Sequence, residues 1–129
     1  EISGGLVGSE MCIRDSESSM AMSTDLRLIL TTEADQTRAE RLAETLIERR
    51  LAACVSLMPV QSRYRWQGEI ERSQEVQLLI KTSPQRLEEL LAALESLHSY
   101  DTPEILQMAA QAGAAYAAWA MSALSSDAP

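Results

Sequence analysis

The segment that decides the fold is "LAACVSLMPVQSRYRWQGEIERSQEVQLLIKT", residues 51–82, which we interpret as a long β-hairpin. Gln67 and Gly68 form the predicted turn, because glycine tolerates the positive φ that a tight hairpin turn requires. Pro59 lacks an amide donor, so we expect a bend or a β-bulge at that position. The hairpin supplies two strands of a sheet, and its flanks decide the rest of the fold.

Upstream of the hairpin, the sequence predicts one strand and one helix. Residues 26–32, "LRLILTT", place apolar side chains mainly on one face, as in a strand of a half-covered sheet. Residues 32–50, "TEADQTRAERLAETLIERR", repeat apolar residues at three- and four-residue spacing, which is typical of an amphipathic helix. Asp35 is the candidate N-cap of this helix.

Downstream of the hairpin, the sequence predicts a second helix, a strand and a third helix. Residues 83–98, "SPQRLEELLAALESLH", form the second helix, with Ser83 as its cap and Pro84 in its first position. Residues 103–108, "PEILQM", are the predicted last strand. Residues 112–124, "AGAAYAAWAMSAL", are the predicted closing helix.

This order of elements predicts an α+β protein. A strand-helix-strand unit used twice gives a ferredoxin-like βαββαβ fold, in which both helices pack on one face of an antiparallel sheet. We assign this domain to residues 26–124 and treat residues 125–129 as a tail. Residues 1–25 are rich in Ser, Gly and acids and lack a helical or strand period, so we interpret them as a disordered leader that need not be native.

Composition and charge exclude several classes of protein. A net charge of −8 argues against nucleic-acid binding, which requires clustered Lys and Arg. No apolar run approaches the ~20 residues that cross a bilayer, so we expect a cytoplasmic protein with no membrane partner. The two cysteines are Cys12 in the leader and Cys54 in an apolar segment, which makes a disulfide framework unexpected.

The length of the hairpin predicts self-association. Its first strand, from Ala52 to Trp66, could extend about 50 Å, whereas the first helix covers only about 24 Å. The outer half of the hairpin carries Tyr64, Trp66 and Ile70, which a monomer would expose beside open strand edges. Neighbouring subunits would cover these side chains; the alternative is that the closing helix, with Trp119, folds over them.

Several segments together resemble one family, the CutA proteins, which are divalent-cation tolerance proteins. The likeness covers residues 26–124 and none of the leader. It implies a homotrimer of ferredoxin-like subunits whose hairpins join the sheets of neighbours, a role in tolerance of copper and other metal ions, and no established enzymatic reaction. The matching parts are "RLAACV" (50–55), "YRWQGEIERSQEVQLLIKT" (64–82), "LHSYDTPEIL" (97–106) and the aromatic pair Tyr116 and Trp119.

The sequence departs from this family at several positions. Ser99 stands where the family usually has Pro after the His. Residues 109–115, "AAQAGAA", replace a Leu-Pro step and a polar turn. Because alanine favours helix, the sequence does not fix the residue at which the last strand ends. Thr31 and Leu97 stand where some members carry a Cys and the first His of a pair. Of the copper ligands that the resemblance implies, His98 alone is present.

His98 and Cys54 are the candidate metal ligands, and the candidate cofactor is Cu(II) or another divalent cation, weakly bound. Two such ligands do not complete a tetrahedral site, although a trimer could bring several copies together. A structural role is the alternative for each residue. The His98 imidazole could bond the last carbonyls of the second helix, and Cys54 could be an inert buried thiol.

Tyr64, Trp66, Tyr100 and Glu104 are the candidate residues of a ligand cleft between subunits. Tyr64 and Trp66 share one strand face, and a cleft between subunits is where a small anion or organic ligand is expected. Glu104 could equally be a solvated residue before the last strand. The acids of the hairpin tip are interpreted as cross-strand partners rather than as metal ligands: Glu69, Glu71 and Glu75.

An acylphosphatase-like enzyme and a PII-like signalling module are the alternatives to a role in metal tolerance. Residues 60–65, "VQSRYR", resemble the phosphate-binding loop of acylphosphatases, but Ser62 replaces the required Gly and the chain has no Asn to position water. A single His also leaves a nucleophilic triad without support. The competing class is a signalling module that resembles the trimeric PII proteins and binds a small effector between subunits. Those proteins use a long mobile loop, whereas the predicted hairpin turn is short.

Overall fold

The computed structural model describes residues 23–125 of the chain. Most of the predicted leader and tail, residues 1–22 and 126–129, lie outside the described part. No helix of the described part is long and apolar enough to span a bilayer. The elements follow in this order: β1 (Asp25–Glu33), α1 (Gln36–Glu48), β2 (Cys54–Trp66), β3 (Glu69–Thr82), a 3-10 turn (Pro84–Arg86), α2 (Leu87–Leu97), β4 (Leu106–Gln111) and α3 (Ala114–Leu124).

The strands form one sheet in the order β2-β3-β1-β4. β1 lies inside the sheet, antiparallel to β3 on one side and to β4 on the other. β2 pairs antiparallel with β3 and forms one edge. The predicted α+β, ferredoxin-like arrangement with a long hairpin and a closing helix is confirmed.

The main core lies between the sheet, α1 and α2. Ile29 of β1 pairs in register with Ile80 of β3, and both pack with Leu46 of α1 and Leu90 of α2. We call this side of the sheet the helix face. Residues that alternate with these, such as Leu28, lie on the opposite side, which we call the open face.

α3 packs at one end of the open face. Ala120 and Leu124 of this helix form a second, smaller apolar cluster with Leu26 and Ala53. Arg86 donates from Nε and Nη2 to the carbonyl oxygen of Leu124, at 3.2 and 2.8 Å. These bonds satisfy a carbonyl that the end of a helix leaves without an intrahelical partner, and they fix the C-terminus of α3 to the rest of the domain.

The predicted caps and turn are confirmed. The Asp35 side chain accepts a hydrogen bond from the backbone N–H of Arg38 at 2.8 Å and caps α1. The Ser83 hydroxyl accepts from the Arg86 N–H at 3.2 Å, at the 3-10 turn that leads into α2. The hairpin turn consists of Gln67 and Gly68, with φ of 50° and 83°. Positive φ at both positions matches the twist of the flanking strands.

Of the bend or β-bulge predicted at Pro59, the bulge is absent, and the predicted bounds of the last strand are wrong. Pro59 causes no β-bulge, because it pairs with Val76 in an unbroken register. β2 is an edge strand, where an amide that points away from β3 needs no partner, so proline is tolerated there. The last strand is Leu106–Gln111 rather than residues 103–108. Pairing with β1 keeps its two alanines in the strand despite their preference for helix.

The hairpin extends beyond the rest of the sheet. β1 ends at Glu33, opposite Val76, so residues 60–75 have no third strand beside them, and we call these residues the hairpin arm. α3 does not cover the arm, since it packs near Leu26 at the opposite end of β1. Three large side chains of the arm are 46%, 58% and 65% exposed: Tyr64, Trp66 and Ile70, respectively.

Candidate functional site

A buried carboxylate, Glu33, joins the end of β1 to the segment that follows α2. Glu33 is 2% exposed and accepts hydrogen bonds from Ser99 Oγ at 2.5 Å, from Ser99 N at 3.1 Å and from Ala34 N at 3.0 Å. Burial alone raises the pKa of Glu33, but these three bonds favour the charged form and hold the pKa below its ordinary value. Glu33 is therefore an ionised carboxylate with its solvation replaced by protein donors.

His98 belongs to the same cluster and uses both of its ring nitrogens. The Tyr100 N–H donates to Nδ1 at 3.0 Å, so the ring proton is on Nε2, which donates to the carbonyl oxygen of Thr32 at 2.6 Å. The expectation that the ring bonds the last carbonyls of α2 is wrong, since only the backbone N–H of His98 does so, to Leu94 O. The side chain of His98 is fully buried, 3.6 Å from Glu33 Oε2.

Cys54 lies on the open face among polar side chains. Lys81 Nζ is 3.6 Å from Cys54 Sγ and 2.6 Å from Ser56 Oγ. Tyr116 of α3 also reaches the thiol; its burial, the charge of Cys54 and a hydrogen bond with Cys54 together raise the pKa of Tyr116. Cys54 is a free thiol and is only partly buried. It is therefore not the enclosed apolar thiol of the structural interpretation.

The two candidate metal ligands are far apart within one subunit. Cys54 is opposite Lys81 in the sheet, whereas Thr32, which the His98 ring contacts, is opposite Gln77. Four residues of strand separate these positions, which corresponds to about 13 Å. Within residues 23–125, no group of three or more His, Cys, Asp or Glu side chains could hold a metal ion. One subunit thus lacks the ligands of a metal site in its described part.

The candidate cleft residues are only partly brought together. Tyr100 donates from its hydroxyl to Glu75 Oε2 at 2.7 Å, at the base of the hairpin arm. Burial, the bond and charge of Glu75, and the nearby Glu33 and Tyr64 raise the pKa of Tyr100. Trp66 lies two residues beyond Tyr64 on the same strand face. Glu104 is exposed before β4, and no hydrogen bond or ion pair of the described residues joins it to the others.

A cavity of about 510 Å³ lies where the arm leaves the domain. Its walls are the start of α1, at Asp35 and Gln36, and both strands of the hairpin. It contains Glu75 but none of the residues predicted for the ligand cleft. This cavity is therefore a different place from the predicted ligand cleft. The hairpin turn of two residues also provides no long loop of the PII kind.

The role of Glu33 and the contact of Lys81 with Cys54 were not predicted from the sequence. Glu33 ends an apolar strand and precedes a helix, so it resembles an ordinary acid of a first helical turn. Its partner Ser99 is 66 residues away in the chain, and no local pattern indicates such a contact. Lys81 alternates with buried residues of β3, which places it on the face of Cys54 once the register is known.

Comparison with known proteins agrees with this architecture. The family model of the CutA1 divalent ion tolerance protein matches residues 27–123. The divalent-cation tolerance protein CutA of Pectobacterium atrosepticum is 46% identical over 90 residues, which are 69% of this chain and 82% of that protein. The CutA protein of Thermus thermophilus is 40% identical over 82 residues, which are 63% and 80% of the two chains.

Solved structures show the same fold. CutA from Synechococcus elongatus superposes with a TM-score of 0.77 at 45% identity, covering 80% of this chain and 93% of that one. The protein from Archaeoglobus fulgidus, described as a periplasmic divalent cation tolerance protein, gives a TM-score of 0.74 at 31% identity over 78% and 99% of the two chains. The cytoplasmic location of the present protein accordingly stays a prediction. Since the family model covers residues 27–123 and the fold agrees, the chain belongs to the CutA1 family of divalent ion tolerance proteins.

Proposed function

We propose that this protein acts in tolerance of divalent cations as a non-catalytic homotrimer that binds metal ions weakly. The observation that carries the proposal is the uncovered hairpin arm with its exposed Tyr64, Trp66 and Ile70. An isolated subunit would leave these large apolar side chains in water, next to unpaired strand edges. Natural proteins avoid that combination because it promotes uncontrolled association. Burial against neighbouring copies removes both problems.

The free edges of the sheet support a cyclic assembly. β1 ends opposite Val76, so residues 69–75 of β3 have an unpaired edge on the side away from β2. The outer edge of β4, residues 106–111, is unpaired too, because β4 is the last strand of the sheet. These two edges are similar in length and differ in identity. Pairing of one with the other on the next subunit is a head-to-tail contact, which forms a closed ring when its rotation closes.

The open face gives further surface for such an assembly. Leu106 and Met108 of β4 are 49% and 39% exposed, and they lie opposite Leu30 and Leu28 of β1. α3 covers only the Leu26 end of this face. The apolar rows that remain are of the kind that homo-oligomer interfaces bury.

Light scattering coupled to size exclusion tests the assembly. We expect the wild type to have about three times the 14.2 kDa mass of the chain at micromolar concentration. Ile70→Asp should lower this mass, because it places a carboxylate in a surface that the neighbour covers. Ile47→Asp is the matched control, since Ile47 is 42% exposed on α1, away from the arm. A wild-type monomer, or equal effects of both substitutions, would refute the proposed arrangement.

For metal binding, we propose that Cys54 is the accessible donor of the two candidates. Cys54 is partly exposed, and among the described residues its thiol contacts Lys81 and Tyr116. A metal ion at His98, in contrast, would have to displace the bond to Thr32 or the bond from Tyr100. One sulfur per subunit gives weak binding unless further donors come from other copies.

Calorimetric titration with Cu(II), and with redox-inert Zn(II), tests this assignment. Cys12→Ser should serve as the background in all samples, because Cys12 is a second thiol outside the described residues. We expect Cys54→Ser to abolish the saturable heat and His98→Gln to retain it. Retention by Cys54→Ser with loss in a folded His98→Gln protein would reverse the assignment, and unchanged titrations of both would remove these ligands from the proposal.

A further inference from the structure

The hairpin arm has one basic face. Arg63 of β2 and Arg72 of β3 are direct cross-strand partners, and the neighbouring pair on the same face is Gln61 with Gln74. Alternation along the strands places these four side chains on the helix face, in line with the buried Val76. The acids of the tip, Glu69 and Glu71, alternate with them and point to the other side.

Two arginines in this position require an explanation. Like charges directly opposite each other in an antiparallel pair destabilise the sheet. The ion pairs of residues 23–125 join Arg38 to Asp35, Arg86 to Glu89 and His98 to Glu33, so neither Arg63 nor Arg72 has a carboxylate partner there. Arg63 donates one bond, from Nη1 to the carbonyl oxygen of Ser62 at 3.2 Å. The chain has a net charge of −8, yet no acid of the described residues forms an ion pair with either arginine.

A small cavity lies at this position. Its volume is about 190 Å³, and its lining residues are Gln61, Arg63, Arg72, Ser73 and Gln74. A tetrahedral oxyanion has five heavy atoms. The cavity is large enough for it and for several water molecules, since one water molecule occupies about 30 Å³.

We propose that Arg63 and Arg72 form a binding site for a phosphate-type oxyanion on the helix face of the arm. Each guanidinium presents a planar fork of N–H donors that matches two oxygens of a phosphate group. The amide N–H₂ groups of Gln61 and Gln74 supply further donors along the wall of the cavity. A bound dianion converts the repulsion between the arginines into attraction. The site is separate from Cys54 and from the proposed metal chemistry.

Calorimetric titration of the full-length protein with inorganic phosphate, at constant ionic strength, tests the site. We expect saturable binding with a dissociation constant of about 1 mM, as for a small anion held by two charged side chains. Arg63→Gln and Arg72→Gln should each weaken it about tenfold, because each removes a charge-assisted contact. Arg65→Gln is the matched control: it removes the same charge from the same strand face, but its cross-strand partner is Ile70. We expect this variant to bind within about twofold of the wild type.

A second measurement tests whether the partner of the two arginines is a free oxyanion or a carboxylate of a neighbouring subunit. In phosphate-free buffer, Arg72→Gln should melt at the wild-type temperature or above, because the substitution removes a repulsion. If Arg72→Gln instead melts lower and loses self-association in light scattering, the pair binds a carboxylate of a neighbouring subunit, and the proposal is overturned. It is likewise overturned if phosphate gives no saturable heat, or if Arg65→Gln weakens binding as much as the other two variants.

Discussion

Replacement of Glu33 by Gln tests the buried carboxylate that joins β1 to the segment after α2. Oε1 accepts bonds from Ser99 Oγ and Ala34 N, and Oε2 accepts from Ser99 N. Gln has the same shape but replaces one acceptor oxygen by an N–H₂ group, which then faces an N–H or O–H donor. One charge-assisted bond is lost, worth about 1.5–3 kcal/mol, and a buried donor is left unpaired at about 1–3 kcal/mol. We expect a loss of about 3 kcal/mol in the free energy of unfolding at pH 7.

Urea denaturation monitored by circular dichroism measures this loss. All samples should have one fixed protein concentration, because self-association stabilises the folded state. Glu44→Gln is the matched control, since Glu44 is exposed on α1 and the same substitution there should change stability by less than about 0.5 kcal/mol. A difference of this small size for Glu33→Gln would refute the account of the cluster.

The pH dependence gives an independent check. Because the pKa of Glu33 is lowered on folding, its ionised form adds stability that is fully present above the unfolded pKa, near 4.5. This contribution is lost as the pH falls through the lower pKa of the folded state. Glu33→Gln has no such group, so the difference between wild type and variant should shrink as the pH falls below about 4.5. A difference that stays constant from pH 7 to pH 3 would contradict the assignment.

Four further substitutions test the rest of the fold in the same urea assay. Leu46→Ala should lower the free energy of unfolding by about 3 kcal/mol, because Leu46 is fully buried. Ile47→Ala should lower it by less than about 1 kcal/mol, because Ile47 is exposed on the same helix. Similar values for the two variants would contradict the assigned face of α1. Gly68→Ala should cost about 1 kcal/mol because φ is 83°, and a stabilising effect would contradict the turn. Thr82→Val should cost about 1.5 kcal/mol, because the Thr82 hydroxyl donates to Leu51 O at 2.7 Å in the interior; an unchanged stability would show that this carbonyl finds another donor.

Much of the fold could be predicted because its signals are local. The positive φ at Gln67 and Gly68, the Asp35 cap and the apolar stripes of α1 and α2 all depend on neighbours in the sequence. The ends of the last strand could not be predicted in this way. Ala109 and Ala110 favour helix by themselves, and they become strand only because β1 lies beside them.

The candidate site was harder to predict because its contacts are distant in the chain. His98 was predicted as a candidate metal ligand or a helix cap, and the bonds of its ring to Thr32 and Tyr100 depend on how the end of β1 meets the end of α2. The pairing of Arg63 with Arg72 could not be predicted either, because these residues face each other only in the observed strand register. The exposure of Tyr64 and Trp66 within one chain could be predicted from length alone, because a strand longer than its covering helix leaves an uncovered end.

The central position of β1 has a consequence for synthesis on the ribosome. Of the described strands, β1 leaves the exit tunnel first; it is paired on both sides in the finished sheet, and its partners β3 and β4 begin at Glu69 and Leu106. Until those segments emerge, a nascent chain presents "LRLILTT" without a partner strand on either side. The β2-β3 hairpin can close first, because its strands are joined by two residues, and β1 must then wait for it. Expression should therefore be most sensitive to chaperone supply when translation pauses after residue 33 has left the tunnel and before residue 82 has.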